Sequence, residues 1–267
     1  MDILPQLLVN ALISGSIYAL ASSGLAIVYG LLRILNFAHG HLMMVGAYLF
    51  FFAHVHSGFN LFVSSIVTIV LTVLIAVASL RIFVLPFTRY SFFLVFVTTL
   101  ALSTIFESAI SMIFGVNVKS LSIGYELTSY ELWGVYITPV QILIIASALV
   151  LLGILGFVIH YTSFGRRVRA LSECQHGAQS LGVGVERTNY FVFTAGALFA
   201  AYAGILVGFE TNIQPTMGNA YTIKAFAAMI LGGLGNVWGT IAGSYILGLI
   251  ENLSIGLDFG SYSIPAG

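Results

Sequence analysis

Apolar residues in this chain come in blocks. Eight segments, at about 7–31, 41–55, 61–80, 91–114, 139–160, 189–210, 221–235 and 237–253, are almost free of charge. Several reach the roughly 18–20 residues that a helix needs to cross a hydrocarbon core, so the pattern predicts membrane-spanning helices. Two places depart from it. The segment beginning near 41 is short, and the pair around Gly235 is interrupted by glycines. Half-helices or re-entrant pieces are expected there, and such backbone is tolerated at membrane depth only where it is buried in protein or lines a cavity.

Composition agrees. Of 267 residues, 59% are hydrophobic and 7% are charged, against about 25% charged in soluble domains. That polar surface is too small to cover a water-soluble globule. The fold class expected is therefore all-α, a polytopic integral membrane protein with about eight membrane segments, forming one transmembrane domain over residues 1–267. A net charge of zero gives no field for a nucleic-acid partner. The single cysteine, Cys174, excludes an internal disulfide and a multi-cysteine metal cluster. The start, MDILPQLL, lacks the basic region of a cleaved signal peptide, so the first apolar segment is expected to remain as a helix.

Basic residues set an orientation. Arg166, Arg167, Arg169 and Arg187 share the 161–188 loop, and Arg81 and Arg89 flank the 81–90 loop. By the positive-inside rule both loops are cytoplasmic. The 115–138 loop, with Glu126 and Glu131 against Lys119, faces out. Alternating crossings then put the N-terminus outside and Arg33 at the inner side. The same count leaves Asp258–Gly267 outside, and the loop-like ending SYSIPAG suggests that the natural chain continues into one more C-terminal helix.

Candidate chemistry is sparse. Gly233-x-Gly235 lacks the strand–turn–helix context and following acid of a dinucleotide fingerprint. Gly235, Gly239 and Gly243, four apart, read instead as one helix face for close packing. There is no Gly-x-x-x-x-Gly-Lys-[Ser/Thr] loop, so the chain does not itself hydrolyse ATP by that route. His39-x-His41 and His54-x-His56 have no cysteine or acid at ligand spacing and read as interfacial histidines satisfied by backbone or water, with metal none. Glu107 lies inside the fourth segment, where an acid is costly. It either faces a translocation path or bonds a neighbouring helix while protonated. Glu210 and Lys224 suggest a neutralising pair at the outer mouth, with Glu251 also at an outer end. No ladder of ionisable groups runs through the membrane, which argues against proton coupling. SGSIYALASSGLAIVYG and TAGALFAAYAGILVGFE share small residues and aromatics before a polar-glycine break. Two readings stay open, an inverted transporter repeat and ordinary membrane-helix composition.

The stretch SFGRRVRALSECQHGAQSLGVGVERTN is the most informative. Val168, Leu171, Ala178 and Leu181 recur at helical steps once the gap at Cys174 or Gln175 is bridged, giving an apolar stripe behind Arg166, Arg167 and Arg169. Gly177 is a candidate break. Such a helix either lies on anionic lipid headgroups or docks in the groove of a cytosolic partner.

Asn36-Phe37-Ala38-His39-Gly40, followed by Met43-Met44-Val45-Gly46-Ala47-Tyr48, resembles the signature of bacterial permeases for branched-chain amino acids, a group of ATP-binding-cassette importers that includes urea and amide importers. The similarity continues through Phe164-Gly165-Arg166-Arg167-Val168-Arg169-Ala170, Ala178-Gln179-Ser180-Leu181-Gly182-Val183 and Gly232-Gly233-Leu234-Gly235-Asn236, to Gly248 and Glu251. The resemblance implies a second permease subunit, two cytosolic ATPase subunits that carry ATP and Mg, a periplasmic solute-binding protein, and no cofactor on this chain. It makes the 161–187 loop the ATPase-coupling loop, with Arg166, Arg167, Arg169, Leu171, Glu173, Ala178, Leu181 and Gly182. Where relatives tend to have a proline and an acid, this chain has Gln175 and His176.

The reading is then a transport subunit of the inner membrane, not an enzyme, moving branched-chain amino acids or a related small polar solute such as another amino acid, urea or an amide. The rival is a stand-alone secondary transporter or channel. Asn36, His39 and Glu107 are the candidate path residues. Asn36 and His39 would sit at a helix break near the inner end of the path, satisfying freed backbone groups or meeting a zwitterion. Changing both to apolar residues is expected to impair uptake and spare assembly.

Overall fold

Several apolar blocks begin behind a polar residue that caps a helix. Asn60 Oδ1 accepts from the Val63 amide at 2.8 Å and Ser91 Oγ from Leu94 at 3.1 Å. Thr138 and Gln141 cap each other reciprocally, satisfying two amides that a helix start leaves free. The computed structural model describes residues 4–88, 90–121, 129–132 and 134–256. Arg89, Glu126 and Asp258, used above for orientation, lie outside the described residues.

In chain order the elements are α1 (Leu4–Leu32), α2 (His39–Phe51), α3 (Leu61–Ser79), α4 (Leu85–Thr88), α5 (Phe92–Phe114), a hairpin β1 (Tyr130–Leu132) and β2 (Val135–Ile137), α6 (Pro139–Tyr161), α7 (Ser163–Glu173), α8 (Gln175–Ser180), α9 (Val185–Glu210), α10 (Met217–Gly232) and α11 (Val237–Gly256). A π turn, Leu80–Val84, joins α3 to α4. Pro86 has no amide to donate and its ring crowds the preceding turn, so the helix widens just ahead of it. The antiparallel hairpin pairs Tyr130 with Ile137 and Leu132 with Val135.

Each of the eight apolar segments becomes helical. Among the described residues, five stretches are long and apolar enough to cross a membrane alone: Leu4–Leu32, Leu61–Thr88, Phe92–Phe114, Pro139–Tyr161 and Val185–Glu210. The chain is a multi-pass membrane protein. α10 and α11 are arms of one pair bent by 118°. Gly233 (φ 92°) and Gly235 (φ 81°) make that bend, in a left-handed conformation that side chains disfavour. α2 is a half-helix.

The most apolar helices lie outermost. α1 and α9, richer in glycine, alanine and serine, form the centre, where most of their residues are buried. At their crossing a Cβ on either Gly24 or Gly196 would stand 2.9 Å from the other's carbonyl oxygen, so the contact is backbone against backbone. Gln6 near the start of α1 bonds Tyr136 of the hairpin, and Arg33 at its end donates to the Ser172 carbonyl of α7 at 3.3 Å. The bundle therefore has a hairpin face and an α7–α8 face.

One unit is built twice. α1 leads through 33–38 into α2, and α9 leads through 211–216 into α10. The connectors are equal in length and end alike. Ala38 (φ −77°, ψ −3°) and Thr216 (φ −86°, ψ −6°) both precede their helices in helical conformation without a side-chain cap. α1 runs towards the α7–α8 face, whereas α9 ends at Glu210 beside Gln141, just after the hairpin. The two stretches that looked alike in sequence are thus α1 and α9, and their units run in opposite directions.

Candidate functional site

The N-termini of α2 and α10 meet deep in the bundle. A Cβ on Gly40 would collide with the Gly218 carbonyl oxygen and Thr222, and one on Gly218 would stand 2.7 Å from the His41 ring. Small residues at both starts therefore permit the approach. The depth is fixed by His39, whose Nε2 lies 2.9 Å from the carbonyl oxygen of Ala21 and donates to it. Ala21 is about three turns, roughly 16 Å, from the end of α1. The break is half-way through the bundle, not near one end as the sequence suggested, because the non-helical connector 33–38 carries the chain back inward before α2 starts.

Asn36 and His39 are both 1% exposed. Asn36 Oδ1 accepts from the Ala38 amide at 3.1 Å. The Phe37 amide donates to Thr99 Oγ1 at 3.3 Å, and its carbonyl accepts from Thr222 Oγ1 at 3.3 Å. The Phe37 ring stacks on Phe226 at 4.6 Å and meets the edge of Phe96 at 5.0 Å. Asn36 is thus spent on an amide that the break leaves free, and His39 on a carbonyl inside α1.

His41 and Glu107 do come together. His41 Nε2 is 3.6 Å from Glu107 Oε2, beyond hydrogen-bond reach, and neither ring nitrogen of this buried histidine has a partner. Asn219 Nδ2 donates to the same carboxylate oxygen at 3.0 Å. The Glu107 side chain is 30% exposed, so the acid is partly covered where α5 meets the starts of α2 and α10.

The Glu210–Lys224 pair is not formed. Lys224 Nζ bonds Glu251 Oε1 at 2.6 Å and the Tyr18 hydroxyl at 2.8 Å, and that hydroxyl donates to Glu251 Oε2 at 2.8 Å. Glu210 Oε1 accepts a hydrogen bond from Gln141 Nε2 at 3.2 Å. The reason is the path of the chain: 211–216 carries it inward before α10 begins, and the bend folds α11 back along α10. The expected glycine face also divides. Gly235 lies in the bend and packs on Gly30 of α1, whereas Gly239 and Gly243 sit on α11 and let it approach Gly232 and Ala228 of α10. His54 bonds the Phe59 carbonyl at 2.8 Å, and His56 stacks on Phe52 at 5.0 Å.

Comparison with known proteins decides the family. Residues 7–261 match the family described as branched-chain amino acid transport system / permease component. The chain belongs to this permease family. It is 32% identical to the high-affinity branched-chain amino acid transport system permease protein LivH of Escherichia coli K12, over 93% of this chain and 85% of that one. To BraD of Pseudomonas aeruginosa, named likewise, it is 29% identical over 92% and 84%. Likeness to the ribose import permease RbsC of Bacillus subtilis, 30% identical, covers 59% of this chain and 50% of that one. No solved structure matches.

In this permease the 161–187 segment folds as α7 and α8. The break falls at Cys174, which is extended (φ −147°, ψ 98°), and not at Gly177, whose amide donates to Cys174 Sγ at 3.4 Å. The apolar stripe splits. Leu171 and Ala178 are buried against the permease itself, Val168 is half-buried, and Leu181 is 86% exposed. Arg166, Arg167 and Glu173 are exposed, while the Arg169 guanidinium donates to the Ile159 carbonyl. Gly182 (φ 83°) closes α8, and the Val183 amide bonds the Ala178 carbonyl at 3.0 Å. That is a Schellman closure with Leu181 at its tip.

Sequence reading missed Asn219, the threonines Thr99 and Thr222, and the Tyr18–Lys224–Glu251 cluster. A polar side chain within an apolar block was the available signal. What it touches depended on where two breaks place their helices.

Proposed function

We propose that this chain is the permease subunit of an ATP-driven importer, carrying branched-chain amino acids across the inner membrane. The family match over nearly the whole chain carries this reading, together with relatives named for branched-chain amino acid transport. The α7–α8 face would be cytoplasmic, since Arg166, Arg167 and Arg187 stand exposed there, and the N-terminus of α1 would be periplasmic. A second permease would complete the pathway. Two ATPase subunits, holding ATP and Mg, would dock below, and a solute-binding protein would deliver solute from the hairpin side.

The exposed tip at Leu181 supports the coupling role. An apolar side chain held by a fixed turn on a basic surface suits a groove in a partner. Leu171 does not, because it is covered by its own subunit. The test is capture of the ATPase subunits by purified permease. Leu181→Asp should abolish capture with the permease still folded. Leu171→Asp should lower folded permease itself, by about 3 kcal/mol for a buried apolar side chain replaced by an unpaired charge. If folded wild-type permease captures no ATPase, the importer reading fails. If Leu181→Asp captures normally, the docking site lies elsewhere.

A further inference from the structure

The first half of the free side of α10 differs from the outward face of α6, although Ile230 and Leu231 further along it are exposed and apolar. α6 turns Leu149, Val150, Ile154 and Phe157 outward, as a lipid-facing helix does. α10 presents Ile223, 67% exposed, between Asn219 and Lys224. Glu107 of α5 flanks one side and Glu251 of α11 the other, with side chains 30% and 28% exposed. Partly exposed carboxylates and an ammonium at this depth are costly against hydrocarbon, and such groups face water or protein.

The polar groups form two stations, roughly 7–8 Å apart along the axis of α10. In each, a carboxylate stands beside N–H or O–H donors: Glu107 with Asn219, and Glu251 with Lys224 and Tyr18. The first also holds His41, 1% exposed, with both ring nitrogens unpartnered and Nε2 3.6 Å from Glu107. A buried polar side chain without a partner is rare in a settled structure. A small turn of the Glu107 carboxyl would bring it within reach.

Resting on the permease reading, we propose that this face of α10 is a wall of the solute pathway, and that its two stations bind the zwitterionic head of an amino acid whose apolar side chain lies on Ile223. The carboxylate of a station takes the solute's ammonium, and the donors take its carboxylate. Each exchange replaces one set of charge-assisted hydrogen bonds by another. A zwitterion adds no net charge to the neutral Lys224–Glu251 pair, whereas a solute bearing one net charge leaves it uncompensated.

The test uses the complete importer in lipid vesicles, in a Cys174→Ser parent that removes the exposed native thiol. ATP-dependent leucine uptake by the parent is read first; its absence overturns the permease reading itself. Ile223→Cys is then labelled with a charged, membrane-impermeant thiol reagent, beside Leu149→Cys. Labelling at least tenfold faster at 223 supports the pathway wall, and equal rates overturn it. The double variant Lys224→Met/Glu251→Gln removes both charges together, so a structural pair is expected to tolerate it. Normal ATPase capture with leucine uptake reduced at least tenfold supports the station. Uptake within twofold of the parent overturns it. Should the double variant not assemble, the labelling comparison decides.

Discussion

The two helix breaks use the same backbone device to opposite ends. At 33–38 the chain seals itself. Asn36 bonds its own backbone, Phe37 is wedged between two aromatic rings, and His39 donates to α1. At 211–216 Pro215 is buried, but the first turn of α10 carries Asn219 and Ala220 at the surface. A broken helix at membrane depth therefore announces nothing about transport by itself. Its role follows from what the first turn after the break faces, the interior in one case and an open flank in the other.

Substitutions can break this contrast or sharpen it. The largest effect is expected where the two starts touch. Gly40→Val forces a side chain into the Gly218 carbonyl, and should cost about 3 kcal/mol, the upper part of the usual range for overpacking. It would be read as loss of the folded peak in detergent. Next comes His39→Leu, which removes the bond to Ala21 and should lower stability by about 1–2 kcal/mol, with leucine uptake per assembled importer within twofold of wild type. This reverses the outcome expected from sequence. Normal stability with lost uptake would show that the first break is functional and end the contrast. The smallest effect on stability belongs to Asn219→Ala, below about 0.5 kcal/mol for an exposed site, yet uptake should fall several-fold. Unchanged uptake would place Asn219 among ordinary surface residues.

How much of this was legible in the sequence depends on range. The helices were, because an apolar block bounded by Asn60, Ser91 or Thr138 specifies its own start through local hydrogen bonds. The half-helix at 39 and the glycine bend were legible too, since length and glycine are local properties. Partners were not. Lys224 follows Glu210 closely in sequence but pairs with Glu251, and only the bend between α10 and α11 decides that. Leu171 and Leu181 had equal standing on a helical stripe. Their fates diverged because α7 lies against the ends of other helices, whereas the turn at Gly182 lifts Leu181 away. His39 and His41 are neighbours of one type, yet one ring bonds a carbonyl and the other stands 3.6 Å from a carboxylate without a hydrogen bond.

Arg33 joins the two ends of this arrangement. It ends α1 with φ 53°, a left-handed conformation unusual for a residue with a side chain, and its guanidinium grips the Ser172 carbonyl of α7. The same residue is where the chain leaves α1 for the middle of the bundle. α7 is thus latched to the root of the strut that carries His39. A shove delivered at α7 has a short route to the core, because only the six residues 33–38 separate the latch from α2.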